Sequence, residues 1–161
     1  MKLSAQEEYG LRCLLQIGRQ EEQTGEGLTI SEIGRAEGLS TSNVAKLMRI
    51  LRLGGFVESA RGQSGGYRLS QPAGQIVVGE VLAVLGGRLF GPNFCEEHAG
   101  QEECCTHSVD CSIRSLWSTV QFVVDQVLGQ VTLKDLLGEE QRLSACFKAM
   151  TDELLQVSDR Q

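Results

Sequence analysis

Four cysteines, Cys95, Cys104, Cys105 and Cys111, stand within 17 residues in the segment GRLFGPNFCEEHAGQEECCTHSVDC. Thiolates are soft ligands that suit zinc, copper(I) and iron–sulfur clusters. Zinc sites usually use two tight cysteine pairs, whereas here eight or nine residues separate Cys95 from an adjacent pair, and five or six separate that pair from Cys111. Adjacent side chains diverge, so three sulfurs are expected to converge: Cys95, one of Cys104 and Cys105, and Cys111. The remaining position falls to a different donor, which raises lability and tunes potential. His98 and His107 lie in the same segment, and a carboxylate from elsewhere in the fold is the other source. The competing reading is a reactive-thiol switch that holds no metal. Cys13 and Cys146 sit in apolar helical patterns and read as buried free thiols.

The elements around this segment must position it. Residues 4–20 have a helical apolar face of Leu11, Leu14, Leu15 and Ile17, with Ser4 and Glu7 at capping-box spacing. EEQTGEG (21–27) reads as a loop. Ser31 is expected to cap a short helix, Glu32 to Glu37, that stops at Gly38. Ser40 or Thr41 caps a second helix running through Leu53, with Val44, Leu47, Met48 and Leu51 as its buried stripe. Two helices joined by a tight glycine turn form a helix-turn-helix. FVESA and YRLS then read as strands around RGQSGG, a basic, glycine-rich wing. Residues 76–85 are expected to form a helix packing back on this unit. A longer helix follows from Cys111 to Leu128. Its apolar side, Ile113, Leu116, Trp117, Val120, Val123, Val124, Val127 and Leu128, is broader than one small chain needs, and part of it is expected to pack on a second copy. Thr132 caps a short helix, TLKDLL, and the amphipathic tail 139–161 can form another. The expected architecture is mainly α with a small β-hairpin: a winged helix-turn-helix unit at 1–86, a cysteine loop at 87–111, and a dimerisation helix and tail at 112–161.

In a helix-turn-helix the first turns of the second helix reach base edges. Thr41, Ser42, Asn43, Ala45 and Lys46 occupy those turns. Arg49 and Arg52, further along, suit phosphates, which position without specifying. Arg61 at the wing tip suits a narrow minor groove, and Gly62, Gly65 and Gly66 let the wing backbone turn and approach closely. Each residue taken singly also reads as a solvated surface group; five basic residues on one such unit favour double-stranded DNA.

Charge distribution agrees. Residues 42–70 carry five basic side chains against Glu58, while residues 95–161 carry 12 acidic against 5 basic. The net charge of −6 over 161 residues argues against a general nucleic-acid coat protein. No run of about 18 apolar residues is present, so no membrane helix is expected. MKLSAQEEYGLRCLL lacks the regions of a signal peptide, which makes a cytoplasmic location the expectation. Structural disulfides are rare there, so six cysteines point to metal or redox chemistry. No CxxC accompanies a βαβ pattern, and no Ser-His-Asp or paired-carboxylate arrangement is visible, so an enzyme is not expected.

The opening MKLSAQEEYGLRCLL, the wing LRLGGFVESARGQSGGYRLS and the CSIRSLW after the last cysteine together resemble the IscR/NsrR-type winged-helix regulators, the Rrf-two family, over nearly the whole chain. The resemblance implies a homodimeric, promoter-binding transcription factor, often a repressor. It also implies an iron–sulfur cluster on three cysteines, answering to redox state, nitric oxide or iron status. The family spacing between its second and third cysteines matches Cys105 to Cys111. Cys95 takes the first position at a longer gap, which leaves Cys104 a spare or the true second ligand. One branch uses a histidine three residues after the last cysteine, where this chain has Arg114. Others use a carboxylate from the first helix of the partner subunit, where this chain has Glu8, with Glu7 its neighbour. A histidine one turn later in one branch is here Arg12. The implied ligand set is Cys95, Cys105, Cys111 and Glu8 in trans, with 2Fe–2S favoured over 4Fe–4S. A zinc- or thiol-based redox regulator is the alternative.

Overall fold

The computed structural model describes residues 4–60, 65–88, 90–91, 94–98 and 111–158. Helix α1 (Ala5–Thr24) is the central support, packing against α2 (Ile30–Glu37), α3 (Thr41–Leu53), α4 (Val78–Gly86), α7 (Leu133–Leu137) and strand β2 (Gly66–Leu69). Its start is set by the capping box expected at Ser4 and Glu7. It runs past residue 20, where a loop was expected, and ends only at Gly25, whose φ of 70° stops the helix. The polar turn is held because Glu21 accepts the Leu69 N–H at 2.7 Å and Gln20 bonds Thr24. Helix α1 meets α4 closely: the Leu85 side chain occupies the space a Cβ on Gly10 would need.

Helix α2 begins earlier than expected, because Thr29 rather than Ser31 is its cap. Thr29 accepts the Glu32 N–H while Glu32 accepts the Thr29 N–H at 2.8 Å. That reciprocal bonding holds the Glu32 carboxyl below its usual range, first through the Thr29 backbone and then its hydroxyl. Gly38, at φ 66°, makes the turn into α3, a backbone conformation that costs a residue with a Cβ. Ser40 then caps α3 by accepting from Asn43 N at 3.3 Å.

Strands β1 (Val57–Ala60) and β2 pair antiparallel with Glu58 opposite Arg68 and Ala60 opposite Gly66. Leu28 adds a bridge to Tyr67. A 3-10 turn at Ala73–Gln75 leads to α4. That helix starts at Val78 rather than Ile76 because the preceding backbone is committed elsewhere: Leu133 N donates to Ile76 O, and Val78 N to Val131 O, both at 2.8 Å. A short helix α5 (Phe94–Glu97), unforeseen in the sequence, precedes α6 (Ser112–Leu128), and α8 (Glu140–Ser158) follows α7.

The core joins Cys13, Leu14 and Ile17 of α1 to Ile33, Val44, Leu47, Met48, Leu51, Val81, Leu85 and Leu133. Burying one such side chain contributes about 2 kcal/mol. Burial also pushes the Cys13 thiol up to about 12, so it is the inert core thiol expected. Cys146 is not: it lies exposed on α8, because the apolar stripe of that helix falls on Leu143, Phe147 and Met150 instead.

Candidate DNA interface and cysteine site

Helix α3 turns Val44, Leu47, Met48 and Leu51 into the core, and the opposite side is left to solvent. Thr41, Ser42, Ala45, Lys46, Arg49 and Arg52 are all exposed, and Asn43 is half-buried. The spacings 42, 46, 49 and 45, 49, 52 place these groups on adjoining rows of one helix face. Ser42 Oγ also shares a hydrogen bond with the capping Ser40 at 3.1 Å. Arg61 and Gly62 lie outside the described residues; the paired Ala60 and Gly66 are the strand ends that lead to them. Arg68, opposite Glu58, is partly buried.

Helix α1 ties directly to this unit. Arg12 Nε donates to Glu37 Oε2 at 2.5 Å, and Gln16 Nε2 donates to Glu37 Oε1 at the same distance. Arg12 also reaches the Glu37 carbonyl oxygen and lies over the Tyr9 ring. Glu8, one turn before Arg12, is exposed. Glu7 is committed: it closes the capping box by accepting from Ser4 N at 2.7 Å, and its side chain lies against Gly86.

Of the cysteines that the spacing singled out, Cys95 lies on α5 and Cys111 caps α6; both are half-buried and neither is in a disulfide. Cys104, Cys105 and His107 fall outside the described residues. Cys111 Sγ accepts the Arg114 N–H at 3.3 Å. It thus sits at the positive end of the α6 dipole. His98 follows α5, stacked on the Phe94 ring at 4.2 Å between centroids. Among the described residues no three acidic, thiol or imidazole groups converge. The two thiols and the histidine are nonetheless soft or borderline donors of the kind an iron–sulfur cluster takes.

A polar chain fastens the start of the cysteine segment to α6. Phe90 N donates to Gln121 Oε1 at 3.0 Å, Gln121 Nε2 donates to Asp125 Oδ1 at 2.7 Å, and Asp125 pairs with Arg88. Sequence reasoning passed over Gln121, although a glutamine inside the apolar run of α6 was the available signal. The same helix leaves Ile113, Leu116, Trp117, Phe122 and Val123 exposed, at 40% to 62% of their surface. Phe122 was not among the residues assigned to that face. Between α4 and α6 runs a cleft of about 990 Å³ with Leu82, Val123, Val124 and Val127 in its wall. No described helix is long and apolar enough to cross a membrane.

Comparison with known proteins places these features in a family. The sequence profile described as "Rrf2: Iron-dependent Transcriptional regulator" matches residues 3–139. Protein rrf2 of Nitratidesulfovibrio vulgaris is 32% identical over 139 residues, covering 86% of this chain and 89% of that protein. Among solved structures, T. potens IscR superposes with a TM-score of 0.66 at 28% identity, covering 85% of this chain and 86% of that one. CymR (YrzC), the global cysteine regulator of B. subtilis, superposes at 0.64 with 27% identity, over 85% and 96%. With a helix-turn-helix, a wing and a match over most of its length, the chain belongs to the Rrf2 family and is a transcriptional regulator.

Proposed function

We propose that this regulator acts in the cytoplasm as a homodimer, usually to repress, and that an iron–sulfur cluster sets its affinity for promoter DNA. Cys95, Cys105 and Cys111 are the thiolate ligands, with 2Fe–2S the favoured form. The fourth ligand is a non-thiolate donor, and the family resemblance offers Glu8 of a second chain. The observation that carries this reading is the Cys111 sulfur at the N-terminus of α6, the helix whose apolar side is exposed. Cysteine chemistry and the subunit contact thereby share one element. Bound there, a cluster supplies a centre that responds to redox change, nitric oxide or iron supply.

The protein's own residues do the rest. Thr41, Ser42, Asn43 and Lys46 read base edges; Arg49 and Arg52 hold phosphates; Arg61 and Gly62 carry the wing to the minor groove. Burial of Leu116 and Trp117 between two copies of α6 sets the separation of the two recognition helices, which must match half-sites about one DNA turn apart. Gln121, Asp125 and Arg88 fasten the cysteine segment to α6, so a change at the cysteines reaches the dimer contact. A strong switch between two such arrangements requires a differential of about 5.5 kcal/mol.

A thiol-based sensor is the second reading, favoured by the likeness to a cysteine regulator. The visible absorption of anaerobically purified protein separates the two. Broad bands in the visible region support the cluster; colourless protein without iron supports the thiol reading.

A further inference from the structure

The chain contains two histidines, His98 and His107. His98 lies three positions after Cys95, which places both side chains on one face of a helical turn. His98 Nδ1 is 2.8 Å from the Phe94 carbonyl oxygen. A carbonyl only accepts, so Nδ1 carries the proton and donates. Nε2 is then the nitrogen left to face a metal, as in metal-bound histidines, whose other nitrogen donates to a carbonyl that fixes tautomer and orientation.

The ring is also supported from beneath. It stacks on Phe94 at an interplanar angle of 16°, and Phe94 packs on Phe90 at 5.0 Å. Phe90 is in turn held by its N–H to Gln121. Gln121 is only 6% exposed. Burying an amide is costly unless both its ends are paired. Here one end fixes the Phe90 backbone and the other is held by Asp125, itself paired with Arg88. Among the described residues, the contacts of Arg88, Phe90 and Phe94 end at an oriented imidazole three positions after Cys95. Glu8, by contrast, is exposed on α1, one turn before Arg12.

We propose that His98, through Nε2, is the non-thiolate ligand of the cluster, supplied by the same chain in place of Glu8, and that Gln121 is its positioning residue. This rests on the cluster reading above. It makes ligation at this position independent of the subunit contact, which a ligand donated in trans would not be.

The test is pulsed EPR of the full-length protein, reconstituted anaerobically with ferrous iron and sulfide and reduced with dithionite. Wild type, Glu8→Ala and His107→Ala are expected to show the nitrogen coupling of a coordinated imidazole, and His98→Ala to lack it. His98→Cys, which restores a donor, is expected to hold a cluster without that coupling, separating ligation from misfolding. Gln121→Leu is expected to keep the coupling but to lose its cluster to a chelator roughly tenfold faster. An unchanged loss rate overturns the role given to Gln121. Coupling that survives in His98→Ala or disappears in His107→Ala overturns the role given to His98, as does a wild-type cluster with no coupling whose spectrum changes in Glu8→Ala. Wild-type protein that takes up no cluster overturns the cluster reading itself and is recognised by its lack of colour.

Discussion

Arg12 on α1 is ionically joined to Glu37, the last residue of α2, with 2.5 Å between Nε and Oε2. The Glu37 side chain is only 8% exposed, whereas Arg12 is 42% exposed. Removing Arg12 therefore leaves a shielded carboxylate with Gln16 as its remaining side-chain partner. Losing such a bond destabilises the contact, by an amount that solvent at the exposed Arg12 reduces. Arg12→Ala should lower the melting temperature by a few degrees and weaken DNA binding, because α2 loses part of its tie to α1. Thermal melts beside DNA titrations check both; the same melting temperature as wild type would show that Gln16 alone holds Glu37.

The exposed side of α6 gives the second prediction. Trp117 and Leu116 remain 40% and 57% exposed in the single chain, and an apolar patch of this kind marks an interaction surface. Trp117→Glu or Leu116→Asp should convert a dimer into monomers with unchanged helix content, read by light scattering after gel filtration and by circular dichroism. Dimers that persist in both variants would place the contact elsewhere.

Recognition residues should divide into two kinds. Arg49→Ala should weaken binding to all DNA sequences and reduce the slope of log affinity against log salt by about 1. Lys46→Ala, near the start of α3, should relax preference at one base position by about 1 to 3 kcal/mol. Binding to a panel of single-base variants of a selected site, over a range of salt, tests the division. A uniform loss for Lys46→Ala would reassign it to the phosphates.

Thiol reactivity supplies a fourth. Burial raises the Cys13 thiol to about 12, so almost none of it is thiolate at neutral pH, and the thiolate is the reactive form. Cys13 should stay unmodified by a thiol reagent in native apo-protein while the exposed Cys146 reacts. Mass spectrometry of the modified peptides decides it, and rapid labelling of Cys13 would mean that the core opens readily.

The winged helix-turn-helix was legible because its signals are local. Glycine at Gly38, a cap at Ser40 and the Val44, Leu47, Met48, Leu51 stripe each have a short-range cause, and all appear in the structure. What escaped was set by distant partners or by two overlapping caps. Helix α1 continues through a polar turn because Glu21 has a partner on β2, 48 residues away. Thr29 wins over Ser31 because Glu32 completes its box. Cys146 was misplaced because an apolar pattern read from α8 alone does not say which side finds a core. The chain from Phe90 to Gln121 joins residues 31 apart, and no spacing rule would have paired them.

The central claim is that the state of the cysteines governs DNA binding, and one titration tests it. DNA enriched from a random pool by the anaerobic, cluster-loaded protein is titrated with that protein and with the same preparation after cluster removal, at one fixed salt concentration. The account predicts affinities that differ by at least about tenfold, a free-energy difference of about 1.4 kcal/mol, restored when the cluster is rebuilt. Equal affinities for loaded and stripped protein, with both still dimeric, would contradict it.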